Sequence, residues 1–263
     1  MKTSRRFIKA ALLAAVCTAA VFFSGCGGSP PELLQLFRQT NVVSDRELGL
    51  TYESMSLWIN CSDDDGTEDF ESLYLIHDEE ELYWELTDET WTSDERASGY
   101  WIGTNELVMN DRSDFPPGNY RVVLIDAAGD RDERRIFVSR GPDHEGLVFP
   151  RLVSGDQWEF RSPHRDNLLW VYVPGGRLVG TYTIEGDRFD PGEFIREIAR
   201  AREEREEEQK RRREDGGDRE SPGNLGSEEI PEEGTVQFHA YSYDDDRGVG
   251  LVSGPYAYTP SGD

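Results

Sequence analysis

The stretch Pro116-Pro117-Gly118-Asn119-Tyr120-Arg121-Val122-Val123-Leu124-Ile125-Asp126-Ala127-Ala128-Gly129 reads as a turn, a strand and a second turn. Its opening Pro, Gly and Asn residues favour a turn. A Tyr follows, then alternating apolar residues, then an Asp-x-x-Gly turn. Alternation with a period of two is the pattern of a strand that buries one face.

The same pattern recurs upstream and just downstream. In Leu57-Trp58-Ile59-Asn60-Cys61, residues Leu57, Ile59 and Cys61 share a face. Leu73 to Ile76, Leu82 to Leu86, Tyr100 to Ile102, Glu106 to Met109 and Arg135 to Val138 are further short apolar runs between polar turns. Leu82, Trp84 and Leu86 are predicted to point inward. About seven short strands in roughly 105 residues, with no helical periodicity, predict an antiparallel β-sandwich. The order turn, Tyr, alternating strand, Asp-x-x-Gly resembles the penultimate-strand region of bacterial Ig-like and fibronectin type III-like domains. That resemblance implies that Tyr120 occupies a tyrosine corner, its ring packed and its hydroxyl bonded to backbone. The acidic segment Ser62 to Phe70 looks like an inter-strand loop of similar domains.

A boundary falls near Ser139-Arg140-Gly141-Pro142-Asp143, and a second β-rich unit follows. Its predicted strands are Leu147 to Leu152, Gln157 to Phe160, Leu168 to Val173, Arg177 to Ile184, Val236 to Tyr243 and Val249 to Tyr258. Pro174-Gly175-Gly176 and Asp244 to Gly248 are predicted turns. Ser253-Gly254-Pro255-Tyr256 resembles the last strand of fibronectin III-like modules. One helix interrupts this unit. Asp190 is its predicted N-cap, with Pro191 at N1, Glu193 at N3, and Phe189 and Phe194 at staple spacing. Phe194, Ile195 and Ile198 give its start an apolar stripe. From Arg200 to Asp215 it carries Glu-to-Arg and Glu-to-Lys pairs four residues apart and no apolar face. It is expected to dock by two turns and then project into water, a solvated insertion or a small basic patch at Lys210 to Arg213. Gly216 to Gly234 reads as a disordered return. The fold class is thus all-β: two sandwich-like units with a charged helical insertion in the second, preceded by a signal helix. The first unit covers 33–140; the second covers 141–263, with the insertion at 190–234.

The N-terminus sets the compartment. Lys2, Arg5, Arg6 and Lys9 precede an apolar run from Ala10 to Phe23, the length of a signal h-region and short of a membrane span. Phe23-Ser24-Gly25-Cys26 then resembles the lipobox of bacterial lipoproteins. The resemblance implies a signal peptide at 1–25, lipidation of Cys26, a tether at 26–32, and membrane attachment through the lipid on the exported side of a cell envelope. Gly27 and Gly28 lack the acidic signal that favours inner-membrane retention in such lipoproteins, which points to the outer membrane and leaves the leaflet open. The whole chain has 28 Lys and Arg against 53 Asp and Glu, net −25. Cleavage would remove four basic residues and no acidic ones, leaving 24 against 53, or −29. That charge repels nucleic acid and anionic lipid alike. Cys61 would be the one unmodified Cys of the mature chain. It cannot form an internal disulfide, and its place on the apolar face predicts a buried small hydrophobe rather than a reactive thiol.

Candidate sites are few. Trp91, Tyr100 and Trp101 would stack on a sugar or anchor a protein partner if exposed, and would pack under a loop if not. Asp63, Asp65 and Asp69 supply oxygen ligands for Ca2+, but Gly66 falls fourth rather than sixth counting from Asp63, so a solvated turn competes with a cation site. Asp244 to Gly248 is weaker still, because Arg247 partly neutralises it. No G-x-S-x-G, H-E-x-x-H, C-x-x-C or phosphate-cradling loop occurs, and the four His residues are scattered. The expected function is non-catalytic and needs no cofactor: binding, adhesion or a scaffold role beside a protein partner in the envelope. The alternative is a carbohydrate-binding module.

Overall fold

The computed structural model describes residues 29–64, 66–96, 99–173, 176–184, 186–214 and 235–259. The signal segment, Cys26, Asp65, Pro174-Gly175 and the return at 216–234 lie outside these residues. Among the described residues the chain is mostly strand with a single helix. That helix is too polar to cross a membrane.

The strands are β1 (Glu32–Asp45), β2 (Leu50–Ser62), β3 (Phe70–His77), β4 (Leu82–Leu86), β5 (Thr92–Arg96), β6 (Gly99–Val108), β7 (Gly118–Asp126) and β8 (Arg131–Val138) in the first half. The second half holds β9 (Arg151–Val153), β10 (Trp158–Arg161), β11 (Arg165–Val173), β12 (Arg177–Thr183), β13 (Arg188–Phe189), helix α1 (Pro191–Glu214), β14 (Val236–Asp244) and β15 (Val249–Tyr258). One eight-stranded sheet, in the order β12-β11-β14-β15-β1-β2-β6-β5, takes four strands from each half. All its neighbours are antiparallel except β1 and β15, which pair in parallel from Asn41–Gly250 to Asp45–Gly254. The two edge strands then meet: the Thr92 hydroxyl on β5 donates to the Leu178 carbonyl on β12 at 3.4 Å. The sheet is therefore barrel-like, with one concave face and one convex face.

Two smaller sheets cover the convex face. The four-stranded sheet β4-β3-β7-β8 packs on the first half, where Met55, Leu57, Ile59 and Cys61 of β2 meet Leu73, Leu75, Val122 and Leu124. This is the period-two face of the sequence. Cys61 is buried in it, and burial pushes its thiol pKa up to about 12, so the thiol stays protonated. The Tyr120 ring is fully buried, and its hydroxyl donates to the Pro116 carbonyl at 2.7 Å. The three-stranded sheet β13-β10-β9 and the start of α1 cover the second half, with Leu152, Phe160, Phe189, Ile195 and Ile198 packed on Leu169, Val171, Val236 and Phe238. Asp190 caps α1 by accepting the Glu193 amide at 2.7 Å, and the Phe189 and Phe194 rings sit 5.5 Å apart as the staple. Beyond Ala201 the described side chains of α1 face solvent, and Arg211 pairs with Glu207 at 3.1 Å.

Several elements differ from the sequence reading. The 14-residue β1, the short β5 and the two-residue β13 are strands it does not contain, Tyr100 to Ile102 and Glu106 to Met109 join in the single strand β6, and Leu147 to Leu152 yields a strand only from Arg151. Leu147 and Phe149 instead lie against Val42, Val249 and Leu251 as a cover over the join of the two halves.

The concave face carries a buried imidazole at that join. His239 lies 4.7 Å from the Tyr172 ring, and burial lowers its pKa from 6.5 to about 4, with a weaker opposing pull from Asp45. The folded chain holds it neutral, whereas the unfolded chain takes up its proton near 6.5. This contribution to stability is thus complete above pH 6.5 and is lost as pH falls toward 4, by up to about 3 kcal/mol. Urea unfolding of wild type and His239→Gln at pH 7 and pH 4.5 is expected to show a smaller acid loss in the variant.

Candidate functional site

Alternation along the eight strands puts a second set of side chains on the concave face. On β1 these are Phe37, Gln39, Asn41 and Val43; on β2 they are Tyr52, Ser54, Ser56, Trp58 and Asn60. On β11 and β14 they include Trp170, Tyr172, His239 and Tyr241. One end of this face is filled by Val43, Tyr52, Tyr172 and Val252. The other end holds a half-open cavity of about 700 Å³.

The cavity wall is aromatic. Trp58, Trp101, Trp170 and Tyr241 line it, and Phe37, half exposed, stands at its edge. Trp170 and Tyr241 stack with centroids 5.2 Å apart and planes 21° from parallel. Burial pushes the Tyr241 hydroxyl up to about 12, keeping it a neutral donor and acceptor. Trp58 Nε1 donates to Asn105 Oδ1 at 2.9 Å, which fixes the indole plane. Gly103 lies opposite Trp58 across the β2–β6 ladder, and a β-carbon there would overlap the Leu57 carbonyl oxygen and the Trp58 backbone and ring. The missing side chain is thus what lets the indole lie against the sheet. Polar groups punctuate the wall: Gln39, Ser56, Thr92, Ser93, Asp94, Asn105 and Thr181.

Two ladder irregularities shape the cavity. The β2–β6 register shifts between Met55 and Leu57, so Asn105 and Glu106 oppose Ser56, and Asn105 is carried to the indole. The β11–β12 register shifts between Val171 and Tyr172, leaving Val179 as an extra residue on the edge strand. Leu178 then faces inward while Val179 joins the outer cluster, and both line the cavity together with Ile198 and Ala201 of α1. The cavity therefore reaches round the β12 edge to the helix. Bulges commonly re-aim side chains in this way beside binding sites. A concave space of this size, apolar and aromatic with a few polar groups, has the make-up of a small-molecule site.

The aromatic trio singled out in the sequence is divided by the structure. Trp91 is buried in the convex-side core with Leu57 and Leu86. Tyr100 turns to that same core, 6.2 Å from Phe70, and its carbonyl faces Cys61 Sγ at 3.7 Å. Only Trp101, its neighbour on β6, reaches the cavity, because successive strand residues point to opposite faces. The three share no common surface. Trp58, Trp170 and Tyr241 share the cavity wall with Trp101 instead. Trp58 was legible: it lies between Leu57 and Ile59, so its ring had to leave the core face.

Of the acidic set read in the sequence, Asp65 lies outside the described residues, and Asp63 and Asp69 come together with Asp126. Carboxylate oxygens of Asp63, Asp69 and Asp126 come within 4.8 Å of one another. Asp126 belongs to the Asp-x-x-Gly turn at the end of β7 and also accepts the Asp130 amide at 2.8 Å. Ser29 donates to Asp63 at 3.1 Å. Asp244 works as a turn residue, accepting the Asp246 and Arg247 amides at 3.1 Å each and the Arg247 guanidinium at 3.1 Å. The four His residues are dispersed: His77 packs on Tyr120, His144 lies near Asp114, His164 near Val148, and His239 near Tyr172.

No protein-family model matches the chain, and no curated protein matches it significantly.

Proposed function

We propose that this chain is a lipid-anchored, non-catalytic binding protein of a bacterial cell envelope, and that the aromatic cavity receives its ligand. The observation that carries the reading is the convergence of Trp58, Trp101, Trp170 and Tyr241 on one half-open space of about 700 Å³. Flat rings bury large area with little loss of side-chain freedom, and the surrounding amides and hydroxyls supply orientation. The ligand this suits is a small amphipathic molecule with a ring or flat face and a polar edge. A saccharide is the second reading. It is favoured by the alternation of indole faces with Gln39, Ser56, Asp94 and Asn105 around the wall. The two-sheet layering of the first half, with the Tyr120–Pro116 bond at its corner, supports an Ig-like or fibronectin III-like relationship.

The anchor half of the proposal rests on the basic leader, the apolar run and the lipobox-like Phe23 to Cys26. With a net charge of −29 after cleavage, the rest of the chain would be repelled by anionic lipid, so attachment depends on the acyl chains. Replacing Cys26 with Ala is therefore expected to move the protein from the membrane fraction to the soluble fraction, read by detergent partition. Unchanged membrane association would remove the anchor.

For the cavity, tryptophan fluorescence of the purified chain is expected to change saturably on titration with envelope saccharide fragments or with an apolar dye. Trp101→Ala is expected to weaken that binding roughly tenfold, about 1.4 kcal/mol. Response to the dye alone would remove the saccharide reading. Response to neither, or binding indifferent to Trp101, would remove the cavity as a ligand site.

A further inference from the structure

We propose that Glu53, Asp114 and His144 form a site for one divalent transition-metal ion of the zinc class, which ties the segment between the two halves to the eight-stranded sheet. Glu53 is on β2, on the convex face, and is 1% exposed. Its Oε2 accepts the Phe115 amide at 2.9 Å, while its Oε1 is buried with no hydrogen-bond partner. A buried carboxylate oxygen left in this way calls for a compensating cation or donor. Two further ligand-bearing residues lie beside this carboxylate. One ligand atom from each of Glu53, Asp114 and His144 lies within 4.8 Å of the other two. His144 Nε2 is 3.6 Å from Asp114 Oδ1, and it too is buried without a hydrogen-bond partner.

These spacings suit a small ion. Ligands at about 2.0–2.2 Å from a tetrahedral centre stand roughly 3.4 Å from one another. The His144–Asp114 pair is already there. The other two spacings are bounded by 4.8 Å, and the approach to the fixed Glu53 carboxylate can come from His144 and Asp114 together, both on connecting segments and 26% and 63% exposed. The donor set selects the class. One imidazole nitrogen with two carboxylates suits zinc and its neighbours, whereas calcium and magnesium favour all-oxygen sets. Two carboxylates offset the charge of the ion, and the exposure of Asp114 leaves a fourth position for water.

The three ligands come from separate places: β2, the β6–β7 loop and the segment between the halves. Gly141 shows how closely that segment is laid down, since a β-carbon there would overlap Glu53 Oε1. An ion at this point would hold loop and segment to the sheet beside the join of the two halves.

The test is zinc titration of the full chain after chelator treatment, in competition with a chromophoric chelator. Wild type is expected to bind zinc saturably and to gain thermal stability with it. Glu53→Gln and His144→Ala are each expected to lower the affinity at least tenfold, since loss of even an outer partner costs a metal site that much. Asp63→Asn, in the other acidic cluster, is expected to leave it unchanged. Glu53→Gln keeps an oxygen for the Phe115 amide. Should it still fail to fold, His144→Ala, at a partly exposed position, decides the matter. Absence of saturable zinc binding, affinity indifferent to His144→Ala, or calcium displacing zinc at equal concentration would overturn the site.

Discussion

The parallel pairing of β1 with β15 is the interaction on which the rest of the structure depends. It joins the first strand of the chain to the last, from Asn41–Gly250 to Asp45–Gly254. Without it the molecule would be two four-stranded sheets with separate covers. With it there is one eight-stranded sheet long enough to curl until β5 meets β12. The seam is closely fitted. Asn41 is wholly buried and donates to Ser56 at 3.0 Å, and a side chain at Gly250 would overlap the Asn41 amide. Past the ladder, the Arg46 amide donates to the Gly254 carbonyl at 2.8 Å, and the Arg46 guanidinium lies 4.2 Å above the Tyr256 ring.

The curl separates the work of the two faces. Apart from the buried Glu53, the convex face is packing: two apolar clusters under the smaller sheets, with Leu147 and Phe149 covering the join. The concave face is mixed, with Asn, Ser, Tyr and His among the Trp rings. A sheet that needed its concave side only for stability would fill it with aliphatic residues. Here that side is aromatic, polar and partly hollow. Gly103 and the bulges at Asn105 and Val179 give up regular ladder geometry to keep it so. The metal site proposed on the convex face would act on the same join from the other side.

Much of the convex side was legible in the residues. Leu57, Ile59 and Cys61 fall on every second residue, and so do Tyr120, Val122 and Leu124, because those positions of each strand face the convex core, although Val123 between them is buried as well. The start of α1 was equally plain, since Asp190, Pro191 and the Phe189–Phe194 pair each serve a local rule. β1 was not. Its residues Leu33 to Val43 serve an apolar cluster on one face and a half-polar cavity on the other, and a bulge at Leu34 breaks the alternation. β5 was hidden for a related reason, since Thr92, Ser93 and Asp94 read as loop but line the cavity from an edge. The cavity itself is assembled by strand order. Trp58, Trp101, Trp170 and Tyr241 are far apart in the chain and meet only because β1 and β15 pair.

Native-state hydrogen exchange across that seam is the most direct measurement. If one continuous sheet holds the molecule, the seam amides between Asn41 and Asp45 and between Gly250 and Gly254 should exchange only through global unfolding, with the same opening free energy as Val122 and Leu169 in the two cores. Seam amides that exchange at much lower free energy, while the two cores remain protected and open independently, would contradict the account.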